Sequence, residues 1–96
     1  MGRFLVAAIG VASIAATAVV SADPPAGAVS CSGCHATSAR VTTPVPRLIG
    51  VDKAAIVKAM REFRSGQRAG TVMDRIAKGF TDDEIQAIAA WYAGQK

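Results

Sequence analysis

Five consecutive positions, residues 31 to 35, constrain this chain more than any other segment. They lie in the stretch VSCSGCHATS and contain both cysteines and the only histidine of the sequence. The rest of the chain is poor in core material, with 18 large apolar side chains after residue 22 and Leu48 as the only leucine among them. A natural domain shorter than about 80 residues usually needs disulfides, a metal or an enclosed cofactor to complete its core. Residues 31 to 35 are the only candidates for such a support.

The first 22 residues have the composition of an export signal. Arg3 precedes an uncharged run over residues 4–20, and small side chains at Val20 and Ala22 form a plausible cleavage site. An uncleaved membrane anchor is the alternative, but the run is rich in Ala, Gly, Ser and Thr and falls short of the roughly 20 strongly apolar residues of a spanning helix. We therefore expect residues 1–22 to be a cleaved signal peptide and residues 23–96 to be one small periplasmic domain, without stable membrane insertion.

Three familiar chemistries of cysteine and histidine compete for residues 31 to 35. A plain disulfide suits an exported chain but leaves His35 unexplained. A thioredoxin-type redox pair needs a strand, a helix and a second strand, and the sequence has no sustained strand period. A structural zinc site needs four protein ligands of the Cys or His type, and the whole chain offers three. None of these three explains the whole segment.

The spacing C-x-x-C-H is the attachment signature of c-type haem. On a helical turn, residues three apart face the same side, so Cys31 and Cys34 can form thioethers to one edge of the macrocycle. His35 then lies beneath the iron as its proximal ligand. The sequence therefore predicts one covalently attached haem c, with a plain disulfide as the alternative.

A second iron ligand is expected in an electron carrier, and Met or His is the usual choice. His35 is the only histidine, so the candidates for the second ligand after residue 22 are Met60 and Met73. Met60 repeats at helical spacing with Ile56 and Phe63, which is typical of core packing. Met73 lies in RAGTVMDRIAKGF, between two glycines and outside any long amphipathic period. We predict that Met73 is a loop residue and the distal ligand; ligation by Met60 and an open or water-bound iron are the alternatives.

The chain contains helical signals joined by loops. We expect a short helix over residues 26–35, a loop interrupted by prolines and glycine, and a middle helix over residues 52–65 that ends at Gly66. In the last helix, Thr81 and Glu84 match a capping box. One apolar stripe follows, made of Ile85, Ile88, Ala89 and Tyr92, with Trp91 at its border.

The order of these features resembles that of the class I c-type cytochromes. The resemblance covers residues 23–96 and is carried by CSGCH, by PRLIG with Pro46, by the methionine between two helices and by the aromatic last helix. It implies an all-α fold of three to four helices wrapped around one covalently bound haem. In this family the carbonyl of the matching proline accepts a hydrogen bond from the proximal histidine, which would place Pro46 against His35, where it orients the ring.

A longer stretch, FRSGQRAGTVMDRIAKGFTDDEIQAIAAWYA, is similar to the cytochrome subunit of flavocytochrome c sulfide dehydrogenase, in its single-haem form. The T-V-M triplet and the R-I-A-K-G segment carry this similarity. It implies an electron carrier that makes no substrate chemistry itself, as a subunit of a sulfide dehydrogenase complex. It also implies a sulfide-oxidising flavoprotein as electron donor and another cytochrome as acceptor.

Positive charge is concentrated in one part of the chain. Residues 53–80 carry a net charge of +5, and the whole segment after residue 22 carries +3. Helical spacing brings Lys58, Arg61, Arg64 and Arg68 near one face. This face is either an ordinary solvated surface or a surface that steers an acidic redox partner. Nucleic acid is not expected as a partner, because no aromatic side chains form a stacking platform among these charges.

Three other functions remain open from the sequence. A free cytochrome c could serve a terminal oxidase or a different dehydrogenase. A haem sensor or small-molecule oxidase would need an open distal side on the iron. A small interaction module held by a disulfide would bind no haem at all.

Overall fold

The computed structural model describes residues 2, 7–15 and 23–96. Residues 7–15 have no regular secondary structure, and side chains such as Ile9 and Ile14 are exposed. The predicted cleavage site after Ala22 and most of the predicted signal lie outside the described residues, so the export signal stays a prediction. Within the described ranges, no helix is long and apolar enough to cross a bilayer.

Four α-helices and one 3₁₀ turn make up the regular structure of the described residues. The helices are α1 (Ala28–Cys31), α2 (Lys53–Ser65), α3 (Met73–Ile76) and α4 (Asp82–Ala93), and the 3₁₀ turn is Ala77–Gly79. No strand occurs in this part of the chain. The predicted all-α class is therefore confirmed.

The two long helices begin and end where their capping residues predict. In α2, the Asp52 carboxylate accepts a hydrogen bond from the Ala55 N–H at 3.2 Å, and Gly66 ends the helix with φ 84°. In α4, the Glu84 N–H donates to Thr81 Oγ1 at 3.2 Å and the Thr81 N–H donates to Glu84 Oε1 at 3.0 Å. The capping box predicted from the sequence is therefore confirmed.

Helix α1 is shorter than the sequence suggested. A helix was expected over residues 26–35, but α1 covers only four residues and the chain continues as a turn from Ser32. In that turn the Gly33 N–H donates to the Ser30 carbonyl at 3.2 Å, the tighter three-residue spacing that follows a helix end. Serine and glycine are weak helix formers, so the Ser32–Gly33 pair does not extend the α-helix.

The core lies between α2 and α4, and α1 covers one end of it. Ile56 and Val57 of α2 pack in the same buried cluster as the predicted stripe of α4 and Ala28 of α1. The stripe prediction is confirmed, since all four of its residues are buried. Ile85 is the only large side chain among the described residues that is less than 2% exposed. The protein part of this core is therefore small, as its composition predicts.

Two contacts fix α1 on the rest of the fold. The Tyr92 hydroxyl of α4 donates a hydrogen bond to the Ala28 carbonyl oxygen. Gly27, with φ 85°, lies so close to Phe80 that a Cβ atom there would be 2.7 Å from the ring. The helix that carries Cys31 is therefore held against the beginning and the end of α4.

Candidate haem-binding site

Cys31 and Cys34 lie at the end of α1 and in the turn that follows it. Cys31 is half-buried, whereas Cys34 is exposed. Burial raises the pKa of the Cys31 thiol, so its sulfur is uncharged at neutral pH. A thioether is also uncharged, so its formation at Cys31 leaves no charge to bury.

The His35 ring has one nitrogen occupied and one available. Nδ1 lies 2.6 Å from the Pro46 carbonyl oxygen, which can only accept, so Nδ1 carries the proton of this hydrogen bond. The Nε2 lone pair of that tautomer is then available to a metal, and the bond to the carbonyl fixes the ring plane. This contact is the one implied by the family resemblance, while the roles of His35 and Pro46 toward haem stay predictions.

Met73 is not a loop residue, and this part of the sequence prediction is wrong. It is the first residue of α3, and the N–H groups of Arg75 and Ile76 both donate to the Val72 carbonyl at 3.0 Å. Asp74 in the first turn favours this short helix by interacting with its positive end. The Met73 side chain is half-buried at the amino end of α3. Its role as distal ligand stays a prediction.

Met60 occupies a different environment on α2. It is half-buried and packs against the core cluster, as its helical spacing predicts. The two methionines are therefore distinct in the fold: one belongs to the core, and the other begins a short helix that follows a loop.

The side chains predicted to hold the haem have the donor atoms that a c-type haem uses. Residues 31 to 35 supply two sulfur atoms and one imidazole nitrogen, and Met73 supplies a thioether from another part of the chain. Arg47, next to Pro46, has a buried Nε atom without a hydrogen-bond partner in the described structure. A carboxylate is the usual partner of a guanidinium, and haem carries two of them as propionates. Sequence reasoning passed over Arg47, because its burial depends on the fold.

A conventional metal site has no comparable support. Among the described residues, no three side chains of the His, Cys, Asp or Glu type come together as possible metal ligands.

Ion pairs neutralise part of the positive charge of the predicted basic face. Arg68 lies beyond the end of α2, so it does not belong to the helical face on which the sequence placed it. Two carboxylates pair with all four cations of this set: Glu62 with Lys58 and Arg68, and Asp82 with Arg61 and Arg64. These pairs leave a weaker positive surface than the sequence suggested for steering an acidic partner.

Both carboxylates are held in their ionised form. A hydrogen bond from Arg68 is the main cause that lowers the pKa of Glu62, and one from Arg64 plays the same role for Asp82. Sequence reasoning missed the Asp82 pairs, because the partners lie on different helices. The Arg64 to Asp82 contact, 2.5 Å long, joins residues 18 positions apart.

Comparison with known proteins shows which family the chain belongs to. No protein-family model matches the chain. Cytochrome c-554(548) of Halomonas halodenitrificans is 32% identical to it over 71 residues, which cover 70% of this chain and 86% of that protein. The chain is a class I c-type cytochrome.

Two further relatives of this cytochrome are named for sulfur compounds. The cytochrome subunit of sulfide dehydrogenase of Chlorobaculum tepidum is 39% identical over 64 residues, 67% of this chain. The thiosulfate dehydrogenase electron acceptor of Stutzerimonas stutzeri is 37% identical over 65 residues, 66% of this chain. The chain spans 58% of the length of the first relative and 30% of the second.

Membership of this family establishes the general chemistry. The class I cytochrome described here is an electron-transfer haem protein, and its haem c is covalently bound. The relatives named above are cytochromes and an electron acceptor.

Proposed function

We propose that this cytochrome uses one haem to accept electrons from a sulfide-oxidising flavoprotein and to pass them to another cytochrome. A single C-x-x-C-H segment supports one haem per chain. The 39% identity to the sulfide dehydrogenase subunit supports the electron donor. The observation that carries the electron-transfer site is the 2.6 Å contact between His35 Nδ1 and the Pro46 carbonyl oxygen, because it presents Nε2 as a ligand.

Each residue of the proposed site has one task. Cys31 and Cys34 hold the haem through thioethers, while His35 and Met73 ligate its iron. When bound, the haem supplies an iron that alternates between the ferric and ferrous states. The Pro46 carbonyl holds the imidazole in one orientation and one tautomer. The Met73 thioether favours ferrous iron relative to a nitrogen ligand, which raises the reduction potential.

Anaerobic stopped-flow mixing tests the proposed donor. The oxidised cytochrome is mixed with a flavoprotein sulfide dehydrogenase and sulfide, and haem absorbance reports its reduction. We expect fast reduction that requires both sulfide and the flavoprotein. If an unrelated flavoprotein dehydrogenase with its own substrate reduces the cytochrome equally fast, the proposed donor is wrong, although electron transfer itself stands.

A second candidate is the role of electron acceptor for a thiosulfate-oxidising dehydrogenase. The similarity to the Stutzerimonas stutzeri protein of that name favours it over other dehydrogenases. The same stopped-flow assay, with thiosulfate and a thiosulfate dehydrogenase as donor, compares the two candidates directly. The donor with the larger second-order rate constant is the better match.

We also propose that residues 1–22 are a signal peptide and that the cytochrome acts in the periplasm. Arg3 before an uncharged run and the small residues near Ala22 support this proposal. Mass spectrometry of the periplasmic protein should find Asp23 as its amino terminus and the mass of one haem. Recovery of the intact chain in the membrane fraction would support an uncleaved anchor instead.

A further inference from the structure

In the loop between α2 and α3, residues 66–72, one arginine makes several contacts with α2. The Arg68 N–H donates to the Glu62 carbonyl oxygen at 3.1 Å. The Arg68 side chain also reaches Glu62, with Nε and Nη2 both 2.9 Å from Oε2. The backbone and the side chain of Arg68 therefore both bind Glu62 of α2.

Arg68 also lies over an aromatic ring that contacts the loop. Its Cζ atom is 5.5 Å from the centroid of the Phe63 ring, within the range of a cation–π interaction. Gly70 lies against the same ring: a Cβ atom there would be 3.0 Å from Cε1 of Phe63 and 3.3 Å from Cβ of Met73. Phe63 is therefore packed between Arg68 and the backbone that leads to Met73.

The position of Gly70 shows how closely the loop is fitted. A Cβ atom 3.0 Å from a ring carbon is tighter than almost all real contacts, so even alanine would force the ring or the loop to move. Met73 follows Gly70 by three residues and begins α3. Gly70 therefore lies against both the Phe63 ring and the Cβ atom of the proposed iron ligand.

We infer that Arg68 is a positioning residue for Met73: by stacking on Phe63 and binding Glu62, it holds residues 66–72 closed and opposes the displacement of the Met73 sulfur by competing ligands. This inference rests on the proposed ligation by Met73. Arg68 and Phe63 do not touch the reacting atoms; they act through Gly70.

The effect of Arg68 should be local rather than global. The Arg68 side chain is 46% exposed, and exposed ion pairs contribute little to the free energy of unfolding. A small difference in free energy nevertheless changes how often the loop opens in the folded protein. The open fraction sets the apparent affinity of any ligand that binds only to the open form. Imidazole is such a ligand, because it must replace methionine on ferric iron.

Three variants of the haem-loaded protein test the inference. Arg68→Gln removes the cation while it keeps most of the side-chain stem, and Gly70→Ala disturbs the contact with Phe63 directly. Arg64→Gln is the matched control, because Arg64 also forms an ion pair but binds Asp82 and the Phe80 carbonyl oxygen, away from the loop. Imidazole titration, the methionine-to-iron absorbance band of the ferric protein and urea unfolding are measured for each.

We expect Arg68→Gln and Gly70→Ala to lower the apparent dissociation constant for imidazole by about tenfold, as loss of a cation–π contact and a charged hydrogen bond would allow. The same variants should weaken the methionine band. Arg64→Gln should leave both properties unchanged, although its urea midpoint falls.

Two results would overturn the inference. The first is an unchanged affinity for imidazole in Arg68→Gln. The second is an equal change in all three variants, because that would reflect general loosening of the fold. Absence of the methionine band from the wild-type protein is a different result: it removes Met73 as ligand and the inference with it, and so identifies the failing step.

Discussion

The ability of His35 to bind a metal depends on one hydrogen bond. Its Nδ1 donates to the Pro46 carbonyl oxygen, eleven residues later in the chain, and this bond selects the tautomer that offers Nε2 to a metal. The C-x-x-C-H spacing identifies His35, but no local pattern identifies Pro46 as its partner. A loop joins the two residues, and only the family resemblance suggested their contact.

The two methionines should respond differently to substitution. Met73→His should lower the reduction potential with the iron still six-coordinate, because a thioether favours ferrous iron more than an imidazole does. Met73→Ala should let small ligands bind the iron. Met60→Ala should act through packing and reduce the free energy of unfolding by about 2 kcal/mol, the lower end expected for a half-buried side chain. Spectroelectrochemistry and urea unfolding measure both effects.

The outcome that would contradict this assignment is specific. If substitutions at Met73 leave the potential and the spectrum unchanged, while those at Met60 shift both, Met60 is the ligand. Core packing of Met60 and the position of Met73 at the start of α3 would then not identify which methionine binds the iron.

At the level of elements, long helices are predictable from this sequence and short ones are not. Helices α2 and α4 combine capping residues with an apolar stripe, so local sequence determines their ends. Helices α1 and α3 have four residues each, and such helices depend on tertiary contacts. The Phe80 ring against Gly27 is one of these contacts, and its partners lie too far apart in sequence for any local pattern.

Gly27 should be sensitive to substitution because two effects coincide there. Its φ is 85°, and a Cβ atom would lie 2.7 Å from the Phe80 ring. Gly66 is a matched control, with φ 84° and no atom within 4 Å of a Cβ. Gly66→Ala should cost about 1–2 kcal/mol from backbone strain alone, and Gly27→Ala should cost clearly more. Equal losses in urea unfolding would show that the Phe80 contact is unimportant.

The ion pairs at the start of α4 should make stability depend on acid pH. Hydrogen bonding and attraction from Arg64 lower the pKa of Asp82 below its ordinary value of 3.8. A lowered pKa in the folded protein stabilises it above pH 3.8, and this stabilisation is lost as the pH falls through the lower, folded value. Asp82→Asn should therefore reduce the urea midpoint at pH 7, and its difference from wild type should shrink toward pH 3.

Asp83→Asn is the control for this titration. Asp83 is its neighbour in the first turn of α4 but takes part in none of the ion pairs of the described residues. If both variants lose the same stability at every pH, the helix dipole explains the effect and the Arg64 pair does not.

At the scale of the whole molecule, the protein atoms alone form a modest core. Seven buried residues make up the cluster between α1, α2 and α4, and three of them are alanine or valine. Apolar side chains near the cysteine segment, including Val29 and Val41, are more than half exposed. A core of this size usually needs support from a cofactor.

Loss of covalent attachment should therefore prevent stable folding. We expect the double variant Cys31→Ser and Cys34→Ser to be largely unfolded by circular dichroism and to be degraded in cells. A variant with one cysteine retained controls for the serine substitution itself. Cooperative unfolding of the double variant at the wild-type midpoint would show that the fold does not depend on attached haem.

A redox titration of the purified protein, followed by its absorbance spectrum, tests whether it is an electron carrier with His35 and Met73 as iron ligands. We predict one reversible one-electron transition, one haem per chain and a methionine-to-iron band that disappears on reduction. Two separate transitions, or a ferric protein that lacks this band and binds small ligands freely, would contradict an electron carrier ligated by His35 and Met73.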